Sequence, residues 1–444
     1  MPKPASFKVS LDTLTSEDKK VVKILERVGL LVHTIWLEQV DPKTGEAYFY
    51  PEGVTKEEIM AAAERDKEIL SPYTVVMKDP DGKLYAQNYS EVHKKEITKI
   101  CDLLEEAAGV TKSRRLRDYL KKLSRAYRKG DYQSALVAFL NNGNPMIDLL
   151  MGPIESYNDE FLGIKRSFQF SLLLMQMDET KEVDEMIKQM NRLSFLKPTG
   201  SVAQRLKSDR IQVRVDEVLM FAGRQASSMP SSVNLPNEPE LLAKHGAKIL
   251  VYNNSLYKKY DKQLRPYMSK VAYFDTDRAR TAMKEANYRL IVLHEIAEGV
   301  IKFEGMERRS GEYIDVIREL NADLFGVMTA KYLVLNGLLS VDQYNELLVA
   351  TVIFAVNLCH RIEKVPSLYV YAKGHAIMFN YMTRSGALTV SRGKLKFNFD
   401  QMSADIDALA YVVVSILREG THVEAKKLLE EWGDEGVFEK LPTA

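Results

Sequence analysis

Cysteine is nearly missing from this sequence. Cys101 and Cys359 are the two in 444 residues, too few and too far apart for a disulfide framework, and their scarcity fits a reducing compartment. An excess of charge is missing as well. Lys and Arg number 62 against 61 Asp and Glu, a net +1 that gives no global pull toward nucleic acid or an anionic membrane. The longest apolar run, "LLVATVIFAVNL" at 347–358, falls well short of the roughly 20 residues a bilayer needs. The opening "MPKPASFKVSLDTLTSEDKK" lacks the apolar core of a signal peptide. No low-complexity tract and no repeat of roughly 20–50 residues stands out. These absences predict a soluble, cytoplasmic protein with no nucleic-acid and no membrane partner.

What is present is an ordinary globular composition, 45% hydrophobic and 28% charged, in a chain long enough for two or three domains. The first part reads as helices broken by "DPKTGEAYFYPEG" and "MKDPDGKLYAQ", whose Pro, Asp and Gly form turns. In "TKSRRLRDYLKKLSRAYRKG" at 111–130, Leu116, Leu120, Leu123 and Tyr127 fall at helical spacing among basic residues. A nucleic-acid face is one reading of that stretch, and a solvated helix flank is the reading its charge balance favours. Between 195 and 265, "RIQVRVDEVLMF" and "AKILVYNNSLY" look like strands around a Ser-, Pro- and Asn-rich stretch. Helices return at about 279–303, 312–335, 341–362, 403–418 and 422–432, interrupted by a hairpin at 387–399 around Arg392-Gly393. The fold class is therefore α+β and mostly α-helical. The chain divides into two lobes separated by a cleft: a helical lobe and a lobe with a small β-barrel-like sheet.

The stretch that carries chemistry is "LIVLHEIAEGVIKF" at 290–303. On a helix, His294 and Glu298 share a face at i and i+4, so both can reach one ion, while Glu295 is placed to act on a bound water as general base. The next helix, "EYIDVIRELNADLFG", puts Asp315, Glu319 and Asp323 on one stripe within an apolar pattern. Two helices meeting through these faces would gather carboxylates that repel one another in low dielectric. A divalent metal resolves that repulsion. Arg318 and Lys302 are the rival counter-charges.

With these residues in view, the sequence resembles the dipeptidyl-peptidase III family of zinc metallopeptidases, in particular a shorter branch that includes a domain fused to Nudix modules in plants. "MGPIESYNDEFLGIKRSFQF" at 151–170, "NLPNEPELLAKHGAKILVYNN" at 234–254, "RELNADLFG" at 318–326 and "YAKGHAIMFNYMTRSGAL" at 371–388 match family segments in family order. The resemblance implies a mixed lobe of 1–178 plus 219–264, holding the peptide-binding segments, and a helical lobe of 179–218 plus 265–444, holding the metal motif. It implies His294 and Glu319 as metal ligands, with Glu298 in place of the second ligand His. Glu295 would be the general base, and Asp323 would orient His294. Glu155 would meet the α-amine of a bound peptide, Asn234 and Asn237 its backbone, and Tyr157 the tetrahedral oxyanion. Tyr371 stands where the family has a further active-site His, and Arg318 where it has an acid.

One imidazole and two carboxylates cancel the charge of a divalent ion, which predicts a weaker Lewis acid than a two-His set; zinc is expected, with manganese or another harder ion as the alternative. His360 and His375 read as structural rather than as restored ligands. The resemblance thus implies a metal-dependent exopeptidase releasing dipeptides from the N-termini of short peptides. The alternative is a catalytically impaired member that binds peptides or regulates.

Overall fold

Thr15 opens the first long helix, α1 (Ser16–Gln39), by accepting a hydrogen bond from the backbone N–H of Asp18. Its buried stripe of Val21, Leu25, Val28, Val32, Ile35 and Trp36 recurs at helical spacing. The computed structural model describes residues 3–41, 43–190, 211–271, 277–300, 303, 305–362, 365, 368–436 and 438–441. They fall into two compact units: residues 1–177, 214–230 and 235–245, and residues 178–213, 231–234 and 246–444. These bounds differ from those the resemblance implies at 178, 214–218, 231–234 and 246–264.

In the first unit α1 packs with α2 (Lys94–Val110), and α2 with α3 (Arg114–Arg128). Leu116, Leu120, Leu123 and Tyr127 of α3 are buried, and Arg114, Lys121, Lys122 and Arg125 stay exposed on its other side. A further helix, α4 (Tyr132–Leu140), is capped by Asp131. Antiparallel strands of this unit are β1 (Ala5–Ser6), β2 (Ile147–Glu155), β3 (Ser167–Met175) and β4 (Ile211–Gly223) from Arg214 onward, four of the six strands of one sheet. Its registers include Ile147↔Leu174, Gln169↔Gly223 and Ala5↔Phe221, with an irregularity between Pro153 and Glu155.

The strands β2 and β3 correct the reading of the first part as helices and loops. Both are buried on both faces over nearly their whole length, so their apolar runs lack the alternation that marks a half-exposed strand. "MKDPDGKLYAQ" likewise takes in the turn and parts of both strands of a small hairpin, Thr74–Lys78 with Leu84–Asn88. Under the sheet, Arg214 is fully buried: it binds Asp216 through Nε and Nη2 and Asp148 through Nη1, and Asn142 donates to both Asp148 oxygens. Each buried charge there is paired and hydrogen-bonded.

The second unit carries β5 (Ser232–Leu235) and β6 (Ala247–Tyr252), followed by α5 (Asp277–Val300), α6 (Ile314–Leu335), α7 (Val341–Cys359), α8 (Tyr369–Ser385) and α9 (Phe399–Glu419). The mostly helical fold is the one the sequence predicts. Helix α8 was not read from the sequence, where His, Lys and Asn blur its apolar stripe. Helix α9 begins before the expected 403, because the Asn398 side chain caps it by accepting from Gln401 N. The late hairpin pairs Leu388–Ser391 with Lys394–Phe397, and Arg392 and Gly393 both take positive φ, 53° and 72°, as a tight two-residue turn demands. Cys101 and Cys359 are buried and free. Among the described residues no helix is long and apolar enough to cross a membrane.

Candidate active site

Helices α5 and α6 approach closely because α6 has a glycine where they touch. A Cβ on Gly326 would come within 3.2 Å of His294 N and of the Leu293 carbonyl carbon. The same device recurs between α8 and α6, where a Cβ on Gly374 would lie 3.3 Å from Leu320 Cβ. Three helices are thereby drawn together around His294, Glu319, Asp323 and His375.

His294 is held from both sides. Its Nδ1 lies 2.8 Å from Asp323 Oδ1, and its Nε2 lies 3.3 Å from Glu319 Oε2, an atom that makes no hydrogen bond of good geometry. The other Asp323 oxygen lies 3.4 Å from His375 Nε2, while His375 Nδ1–H donates to the Tyr371 carbonyl at 3.0 Å. Burial disfavours the His294 cation, but Asp323 and Glu319 outweigh it and raise its pKa well above the usual imidazole value. For Asp323 burial pushes upward, and His375 and His294 together bring the carboxyl below its ordinary range.

Glu295 sits one residue further along α5. Burial, with a smaller push from Glu298, raises its carboxyl to about 7 despite the opposing pull of His294. The hydroxyl of Ser232, in β5, donates to Glu295 Oε1 at 2.5 Å. Glu298, the residue spaced to share an ion with His294, lies instead beside Arg318, with 3.9 Å between Oε1 and Nε. Among the described residues no three His, Cys, Asp or Glu side chains are gathered as a metal-ligand group. Lys302, the other rival counter-charge, lies outside the described residues.

The donors nonetheless fit part of a metal site. Two atoms that share a tetrahedral ion at bonds of about 2.0–2.2 Å lie about 3.3–3.5 Å apart. His294 Nε2 and Glu319 Oε2 show that separation, and the Nδ1–H bond to Asp323 turns Nε2 toward Glu319, where an ion would displace its proton. The separation suits two donors to one ion, and among the described residues no third donor joins them.

The remaining predicted residues lie elsewhere. In the first unit, Asn237 Nδ2–H donates to Glu155 Oε2 at 3.0 Å. Burial raises the Glu155 carboxyl, with Arg224 and Asn237 pulling the other way. Tyr157 is 71% exposed and lies under the Arg224 guanidinium, 4.4 Å from ring centre to Cζ. Asn234, in β5, falls in the second unit. Tyr371, in the first turn of α8, is partly exposed, and its backbone carbonyl joins the cluster through His375. Sequence reasoning missed Ser232, hidden among turn formers, and Arg224. It read His375 as structural, and the ring faces the carboxylate that orients His294.

Known proteins share this architecture. DPP III from Caldithrix abyssi superposes with a TM-score of 0.85 at 22% identity, covering 99% of this chain and 96% of that one. Dipeptidyl-peptidase III from Corallococcus sp. strain EGB gives 0.74 at 20% identity, covering 97% and 90%. The fold is thus that of the dipeptidyl-peptidase III class. A model of peptidase family M49 matches residues 37–299, more than half of the chain, and the chain belongs to that family. The match takes in Glu155, His294, Glu295 and Glu298 and stops short of Glu319. Nudix hydrolase 3 of Arabidopsis thaliana is 21% identical over 375 residues, which are 82% of this chain and 47% of that protein, so the chain spans about half the length of this curated relative.

Proposed function

We propose that this chain is a metal-dependent exopeptidase that removes dipeptides from the N-termini of short peptides in the cytoplasm. Membership in peptidase family M49 supports the reading at the level of class. The observation that carries it to a site is the pair formed by His294 Nε2 and Glu319 Oε2, 3.3 Å apart between two helices. A divalent ion held there, zinc or the harder manganese, would supply Lewis acidity and a water nucleophile near neutral pH.

The chain's own groups do the rest. Asp323 holds His294 in one tautomer through the Nδ1–H bond. Glu295, with its carboxyl near 7, takes a proton from water at Oε and returns it to the leaving amine, and Ser232 fixes the carboxylate for that exchange. In the first unit Glu155, already accepting from Asn237, offers its charge to a peptide ammonium. Asn234 and Asn237 hydrogen-bond the peptide backbone. Tyr157 donates to developing negative charge, Arg224 behind its ring favours that donation, and Tyr371 is a second candidate donor.

The test is hydrolysis of dipeptidyl-naphthylamides with zinc, manganese or cobalt added. Metal-dependent turnover that falls about 10²–10⁴-fold in Glu295→Gln is the expected result. The second reading, a peptide-binding member without turnover, is favoured by Arg318 beside Glu298. Tight binding of a short peptide with no hydrolysis under any of the three metals would establish it.

A further inference from the structure

The carboxylate one helical turn beyond His294 has a fixed positive charge for a neighbour. Glu298 Oε1 is 3.9 Å from Arg318 Nε, and Arg318 Nη2 is 3.5 Å from Asp315 Oδ1. Arg318 directly precedes Glu319 in α6, so the guanidinium is built into the same helical turn as a metal-ligand candidate. Its Nε–H is buried and makes no hydrogen bond, which means that the pair with Glu298 is electrostatic and not locked.

We infer that Arg318 competes with the divalent ion for Glu298, so that this chain takes up metal only against its own guanidinium. The inference rests on the metal reading above. An ion at His294 and Glu319 would gain from Glu298 both a third donor atom and a negative charge. Arg318 withholds both, because it neutralises Glu298 and repels the ion as a like charge. A protonated group in its place would yield as pH rises. A guanidinium does not, since it stays charged at any working pH. That accounts for a His294–Glu319 pair spaced for an ion while Glu298 is paired with an internal cation.

The test strips the full chain with chelator and titrates it calorimetrically with zinc and with manganese, using the visible band of bound cobalt(II) to report the coordination geometry. The variants are Arg318→Gln, Arg318→Ala, Arg318→Lys, Glu298→Gln, His294→Gln and the double Arg318→Gln/Glu298→Gln, each checked for cooperative melting. Removing the charge by either Gln or Ala is expected to tighten zinc binding about tenfold or more, whereas Lys, which keeps it, leaves affinity within about threefold of the natural chain. Glu298→Gln alone has little effect, and the double variant loses the gain. Equal affinity in the natural chain and Arg318→Gln overturns the inference. So does a gain as large in Arg318→Lys, or loss of all binding in Glu298→Gln, which would make Glu298 a ligand already. If His294→Gln abolishes binding while Arg318→Gln gains nothing, the competition alone is refuted. If no protein binds either metal, the metal reading falls with it.

Discussion

Lys165 shows most simply how one residue's surroundings become a measurable property. Its ammonium is fully buried, and Nζ donates to Ile69 O, Ser71 O and Thr74 Oγ1 at 2.7–2.8 Å. Burial lowers its pKa from 10.5 to about 8 even though Asp159 pulls upward. The unfolded chain therefore binds one more proton than the folded chain between about pH 8 and 10.5, and stability rises through that window. The cost of burying the charge is felt in full below pH 8 and relieved above 10.5. Lys165→Met deletes the titrating group. The stability of the natural chain relative to this variant in urea should rise from pH 7.5 to pH 10 by about 2 kcal/mol. A relative stability that stays flat or falls refutes the account. At this scale the candidate residues were legible because His294, Glu298, Glu319 and Asp323 obey helical spacing. Ser232 was not, since nothing local announces that a strand hydroxyl will meet a carboxylate from a helix 63 positions on. Nor could spacing reveal that Glu298 would face Arg318, because both i and i+4 geometry and charge pairing suit the same residue.

Among the elements, the decisive contact is the one between α5 and α6. Gly326 meets backbone atoms of Leu293 and His294, which cannot move aside as a flexible side chain would. Gly326→Ala must push the helices apart by a few tenths of an ångström and widen the separation of His294 Nε2 and Glu319 Oε2. The overpacking is expected to cost about 1–3 kcal/mol, partly offset by up to about 1 kcal/mol from the better helix propensity of Ala. The separate consequence is a drop of about tenfold in zinc affinity, since ligand atoms fixed too far apart lose bond energy. Gly109→Ala in α2, where an added Cβ meets nothing, is the control and should leave affinity unchanged. Wild-type zinc binding in Gly326→Ala would remove this glycine from the site. Helices with exposed polar faces were readable from periodicity. The strands β2 and β3 were not, because burial on both faces erases alternation and leaves only an apolar run that suits either state.

For the molecule as a whole, the question is whether the two units respond to ligand together. The apolar core of the second unit runs from Met186 to Leu441 and draws on α5, α6, α7, α8 and α9. The first unit contributes the paired strands β2 and β3 and the buried Arg214 network. The resemblance read from ordered motifs identified the family because those motifs are spread over both units, so fold and class were legible at long range even where single strands were not. A metal bound by His294 and Glu319 stabilises only what must unfold to release it, by about 2.7 kcal/mol at a hundredfold excess over Kd. Amide hydrogen exchange with and without zinc should therefore slow about a hundredfold in the most protected parts of 277–300 and 314–335. Exchange in 147–155 and 167–175 should not change. Uniform slowing across all four segments would mean that the chain unfolds as one cooperative body. No slowing at saturating zinc would mean that the ion, if it binds at all, is held at the surface by groups other than His294 and Glu319.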